Sequence, residues 1–231
     1  MNRYSALAAT VMVTAVGFVS PVSPARAELV LSQLVVELAP GDRTRADVEV
    51  WNNDKERAFV AVEPREVLNP GTPSESNHVD PDPEELGLLV SPARMILEPG
   101  QRKLLRIASI VPGERERVYR VTVKPVIGRL AAQSSGLKLL VGYDVLVLVR
   151  PPEPRPHVSG VRSGNKIKIR NDGNVSVELV DGRQCDTSMK QCEALAGGRL
   201  YSGSEKTVEV PAGRRAEFEI RVGRTLTSVQ F

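Results

Sequence analysis

Histidine, cysteine and aromatic residues are scarce in this 231-residue chain, which has two His, two Cys and 4% Phe, Trp and Tyr together. A metal site draws on closely spaced Cys and His ligands, yet His78 and His157 lie far off in sequence from each other and from Cys185 and Cys192. No metal is expected. Missing as well are a G-x-S-x-G elbow, an H-E-x-x-H pair and a Gly-rich phosphate loop, so nothing offers a nucleophile, a base and an oxyanion donor to one active site. The sequence predicts neither an enzyme nor a cofactor. A 3.6-residue period is absent from every stretch longer than two turns, which argues against a helical or α/β fold. Charge of one sign is lacking too: 31 Lys and Arg stand against 28 Asp and Glu, a formal net charge of +3.

Part of that small excess belongs to the amino terminus. Arg3 precedes an uncharged apolar stretch at residues 6–19, then Pro21 and Pro24, then Ala25-Arg26-Ala27. This order is the pattern of a secretory signal peptide, with cleavage expected after Ala27 and a periplasmic destination for the mature chain. The apolar stretch is shorter than the about 20 residues a spanning helix needs, and no later run is longer, so no membrane insertion of the mature chain is expected. Arg3 and Arg26 leave with residues 1–27, which hold no acid, and the charge falls from +3 to +1. A nucleic-acid partner, which draws on a strong basic excess, is not expected. Outside the cytoplasm the close pair Cys185 and Cys192, in a Gly- and polar-rich stretch, predicts a disulfide.

What is present is a series of short apolar runs of period two, punctuated by Gly, Pro, Asn and Asp, which is the pattern of an all-β sandwich. Residues 29–38 read as a first strand. Ala46, Val48 and Val50 alternate in a second, and residues 58–63 form a third that Pro64 ends or places at an edge. Residues 69–85, rich in Pro, Ser, Asp and Glu, read as a loop without a core of its own. His78 stands there with Asp80, Asp82, Glu84 and Glu85, but prolines hold these carboxylates apart, so the reading is a solvated loop and no cation site. Strands are expected at 86–90, 95–97, 103–107 and 118–123, then as a long run at 137–149. Asn174-Val175-Ser176 matches a glycosylation sequon, a motif too common to weigh.

Removing 27 of 231 residues leaves 204, above the about 100–150 residues of one domain. Proline has no amide hydrogen to give a strand ladder, so the Pro-rich residues 151–156 read as a stiff hinge between a first domain at 28–150 and a second at 157–231. Further strands are expected at 166–170, 175–180, 206–210 and 217–222.

The run at 137–149 is apolar on both faces for most of its length. A central strand covered on both sides accounts for that, and so does an exposed edge built to pair with a partner. Under the second reading Leu137, Leu139 and Val141 act as one set, because strand addition uses main-chain hydrogen bonds for affinity and alternate side chains for specificity. A surface or matrix structural protein using the same edge for self-association remains an alternative.

The order of these motifs resembles the periplasmic pilus-assembly chaperones, the PapD-like family, over nearly the whole mature chain. The resemblance rests on Ser91-Pro92, Leu97-Glu98-Pro99-Gly100-Gln101, Leu105-Arg106-Ile107, Glu116-Arg117-Val118-Tyr119-Arg120-Val121 and the closing Arg150-Pro151. It implies two immunoglobulin-like β-sandwich domains in a boomerang arrangement, a long strand (G1) that donates Leu137, Leu139 and Val141 to an incomplete pilin-like subunit, and delivery to an outer-membrane usher. In the family an arginine on the first strand and a lysine on the long strand hold the client's terminal carboxylate. Val35 and Leu146 stand at those positions and are apolar, so Lys124, Arg120 or Arg150 would have to substitute in a divergent branch.

Overall fold

The computed structural model describes residues 29–111, 113–126, 140–188 and 190–231. The first sandwich contains β1 (Leu29–Leu31), β2 (Val35–Leu38), β3 (Arg45–Asn52), β4 (Ala58–Leu68), β5 (Ser76–His78), the one-turn helix α1 (Pro83–Leu86), β6 (Leu88–Ser91), β7 (Arg94–Leu97), β8 (Arg102–Ser109), β9 (Arg117–Pro125) and β10 (Tyr143–Val149). One sheet has the order β1-β3-β8-β6, the other β2-β10-β9-β4-β5 with β7 also on β4. Successive side chains of a strand face opposite ways, so Val48 and Val50, Leu105 and Ile107, Val121 and Val123, and Val145 and Val147 all meet in one core between the sheets.

Residues 29–38 do not form the single strand expected. The chain changes sheets within them: β1 pairs antiparallel with β3 and β2 pairs parallel with β10. Ser32 marks the switch, its N–H donating to the Glu49 carbonyl and its Oγ accepting from the Glu49 N–H. The cover that β2 gives β10 therefore begins at Leu146, whose N–H donates to the Leu34 carbonyl.

Two further expectations are corrected. Pro64 does not end its strand, and the edge it sits on is only local: β4 runs on to Leu68, with Pro64 opposite Val121 of β9. On the other flank β7 pairs with residues 58–61 and β5 with residues 66–68, so the missing amide hydrogen of Pro64 falls in the gap between them. Residues 69–85 are more than a loop, because they hold β5 and the start of α1. Asp82 caps α1 by accepting from the Glu84 N–H, and Gly87, at φ 77°, closes it. Gly87 must lack a side chain, since a Cβ there would come within 2.0 Å of Arg117 Nη1. Arg117 donates to both oxygens of Glu66 and to the Leu86 carbonyl, tying the helix to the sheet.

The second sandwich consists of β11 (Val158–Ser163), β12 (Lys166–Asn171), β13 (Val177–Cys185), β14 (Cys192–Ala194), β15 (Gly198–Leu200), β16 (Glu205–Glu209), β17 (Arg215–Val222) and β18 (Thr225–Gln230). Sheets β11-β12-β16 and β14-β13-β17-β18, with β15 on β13, close over Ile167, Ile169, Leu179 and Phe218. Cys185 and Cys192 are Cα partners on β13 and β14 and form the disulfide, with sulfurs 2.04 Å apart. Among the described residues no helix is long and apolar enough to cross a membrane.

Candidate functional site

The outer face of the β2-β10-β9-β4 sheet carries Val35, Leu146, Arg120 and Lys124, four of the residues singled out from the sequence. Leu146 is the Cα partner of Val35 on β2 and of Arg120 on β9, and Arg120 in turn of Arg65 on β4. Val35, Leu146, Arg120 and Arg65 thus lie abreast across four strands. On one side of this row are Glu37, Leu148, Val118 and Val67; on the other, Asp144, Thr122 and Glu63.

The charges on this face are mostly matched. Arg65 donates to both Asp144 oxygens, at 3.1 and 2.8 Å, and to Thr122 Oγ1 at 2.7 Å. Lys124 reaches Glu63 at 2.7 Å. Arg120 is half-buried and forms no ion pair among the described residues. Its field opposes the rise that burial imposes on the Tyr201 hydroxyl of the second sandwich. Leu146, only 7% exposed, joins Val67, Val118 and Leu148 in an apolar cluster against which Tyr201 packs. Its neighbour Val35 is 46% exposed. The apolar residue at 146 therefore covers a contact between the two sandwiches, a place where a lysine would have to be desolvated.

Arg150 ends β10 and is committed to the junction. Its side chain is 7% exposed, donates to Glu37 Oε1 at 2.9 Å and to the Ser176 carbonyl at 3.1 Å, and pairs with Glu116. The Glu116 side chain is 2% exposed, and burial pushes its carboxyl up against the opposing pull of Arg150. Beside it the Asn174 amide donates to the carbonyls of Glu114 and Glu153 and accepts from the Arg155 N–H. Both amide hydrogens of the sequon Asn174 are thereby engaged in a buried contact. Of the three cations considered for carboxylate capture, Lys124 and Arg150 are already paired and Arg120 alone holds an uncompensated charge among the described residues.

Leu137 and Leu139 lie outside the described residues. Val141 is described: it is 47% exposed, in the segment 140–142 that leads into β10. That segment follows the line of β9, since a Cβ on Gly142 would sit 3.1 Å from the Lys124 Cβ. Because β2 begins to cover β10 only at Leu146, residues 143–145 have β9 on one flank and no strand on the other among the described residues.

His78 lies opposite Glu66 on β5, and His157 is exposed, 4.0 Å from Asp172. No group of three metal-ligating side chains occurs among the described residues. Sequence reasoning missed Glu37, Glu116 and Asn174 as junction residues. Arg150 is separated from Glu116 by 34 positions and from Glu37 by 113, so no local pattern marks them.

Comparison with known proteins accords with this geometry. A CS1 fimbrial subunit of Escherichia coli is 27% identical over 169 residues, covering 68% of this chain and 71% of that protein. A CFA/I fimbrial subunit of Escherichia coli is 31% identical over 150 residues, covering 61% and 62%. Among solved structures, the class 5 fimbriae chaperone CfaA superposes with a TM-score of 0.68 at 22% identity, over 88% of this chain and 97% of its own. The Salmonella enterica SafA pilin–SafB chaperone complex matches with a TM-score of 0.60 at 18% identity, over 90% and 98%. These likenesses establish the two-domain all-β sandwich fold. Residues 28–154, more than half of the chain, match the family described as pili and flagellar-assembly chaperone, PapD N-terminal domain, and the chain belongs to that family.

Proposed function

We propose that this protein is a periplasmic, non-enzymatic chaperone that stabilises fimbrial or related surface subunits by donor-strand complementation and passes them to an outer-membrane usher. Its signal peptide is cleaved after Ala27, its chaperone domain spans 28–150, and the hinge at 151–156 leads to the second sandwich at 157–231. The observation that carries the reading is the flank of β10 ahead of Leu146, which has no strand beside it among the described residues and into which the exposed Val141 leads. A subunit lacking one strand exposes a groove, and an added strand satisfies the backbone while filling it. Full burial of each donor side chain is worth about 1.5–3 kcal/mol. Arg120 is the residue to receive the client's terminal carboxylate, because it forms no ion pair among the described residues and lies abreast of Val35 and Leu146.

The test is co-expression of Leu139→Asp with a fimbrial subunit. Asp at this position forfeits one buried side chain and sets a carboxylate in an apolar groove, a loss of several kcal/mol. The variant should fold with an unchanged melting curve and fail to copurify the subunit. Undiminished copurification would refute strand donation.

A further inference from the structure

The second sandwich has an open seam. Along one side its sheets end at β11 and β18, whose outer edges have no partner strand among the described residues. Thr225, Thr227 and Val229 lie opposite Val222, Ile220 and Phe218 of β17 and so share the core-facing side of the sheet. Val229 is partly buried against the core, whereas both threonines are exposed. At one end the Phe231 ring shuts the seam against Gly160, where a Cβ would come within 2.2 Å of the ring. At the hinge end the seam widens into a groove of about 1060 Å³ that reaches the first sandwich at Glu37, Ala39 and Arg43.

β18 is also an unguarded edge. Sheet proteins protect such edges with charges, prolines or bulges, whereas Thr225-Leu226-Thr227-Ser228-Val229-Gln230 has no charge and no proline and pairs with β17 in unbroken register. The hydrogen-bonding phase follows from the end of the hairpin. Phe231 and Ala216 exchange both N–H···O bonds, at 2.9 and 3.1 Å. Antiparallel ladders alternate, so the backbone groups of Leu226, Ser228 and Gln230 point to the open edge.

The groove is apolar along Val158, Val222 and Val229 and cationic at its rim, where Arg43 and Arg224 are exposed. Neither guanidinium forms an ion pair among the described residues. We propose that β18 and this groove form a second docking site, for an extended segment of a partner protein that pairs with β18, lays alternate apolar side chains in the seam and brings a carboxylate to Arg224 and Arg43. A second copy of the chain fits less well, because β18 holds no acid and would leave both arginines unmatched. The site is separate from β10, and it spans both sandwiches, so its occupant reads their relative placement.

The experiment is fluorescence anisotropy on the full mature chain with a labelled octapeptide, Asp-Val-Thr-Val-Thr-Val-Thr-Asp, and its counterpart with Lys at both ends. The acidic peptide should bind about tenfold tighter or better, a difference of 1.4 kcal/mol, and Arg224→Glu should abolish or invert that preference. Ser228→Pro removes a donor that faces away from β17, a position edge strands tolerate, and should weaken the acidic peptide about tenfold at an unchanged melting temperature. Should that variant melt early, the acidic peptide N-methylated at alternate residues replaces it and should lose binding to the wild-type chain. Equal binding of both peptides, binding indifferent to Ser228→Pro and to N-methylation, or no saturation at about millimolar peptide would overturn the proposal. A dimer of the free protein that Ser228→Pro dissolves would assign the edge to a second copy and overturn it as well.

Discussion

Arg150→Met tests whether the charge at the end of β10 holds the two sandwiches together. The substitution keeps apolar bulk and removes the guanidinium from Glu116, whose side chain is 2% exposed. Stranding one member of a buried ion pair costs about 3–5 kcal/mol. The Glu37 contact adds little, since that carboxylate is 30% exposed and can return to water. At about 2–4 °C per kcal/mol for a chain of this size, the melting temperature should fall by about 6–20 °C. Arg150→Met combined with Glu116→Gln removes the stranded charge, keeps an acceptor for the Ser176 N–H, and should recover most of the loss.

The pH dependence has a definite sign. Burial already holds the Glu116 carboxyl above its ordinary 4.5, so the folded state binds this proton more tightly than the unfolded chain does. The group's contribution to stability therefore declines as pH rises from 4.5 through the folded value. Without Arg150 the carboxyl rises further, so the deficit of the single variant should be largest at neutral pH and shrink on acidification. Urea unfolding at pH 5 and pH 8, followed by far-UV circular dichroism, measures both. A single variant within about 0.5 kcal/mol of wild type, below the stranding cost, or a deficit that grows towards pH 5, would refute the reasoning.

Arg120→Glu should weaken binding of a client's free C-terminal peptide by about 10–100-fold, the worth of a hydrogen bond to a charged group. The amidated peptide should be indifferent to the change, and equal losses for both peptides would remove Arg120 from carboxylate capture. Reducing Cys185–Cys192 should lower the stability of the second sandwich by about 2 kcal/mol, because the bond closes a short loop with a sequence separation of 7. Calorimetry with and without reductant reads that shift, and the transition of the first sandwich should not move.

Strand positions were legible wherever one face is buried. Val48 and Val50, Val121 and Val123, and Ile167 and Ile169 alternate with polar neighbours because a pleated strand sends successive side chains to opposite sides. β11 and β18 escaped notice because most of their residues are exposed, which leaves no alternation to read. Pro64 misled for a related reason, since a proline's cost depends on whether a neighbour needs its amide hydrogen, and β7 and β5 leave that place vacant.

The apolar character of the run at 137–149, the absence of charge at Val35 and Leu146, and the proximity of Cys185 to Cys192 were set by the sequence alone. Tertiary structure decided that residues 29–38 split between two sheets, so that among the described residues no strand covers β10 ahead of Leu146. It decided also that Arg150 is neutralised while Arg120 has no ion pair among the described residues. Periodicity is a local property of consecutive residues. Whether a cation is free depends on carboxylates as distant as Glu37, 113 positions from Arg150, which only the folded chain brings within hydrogen-bonding distance.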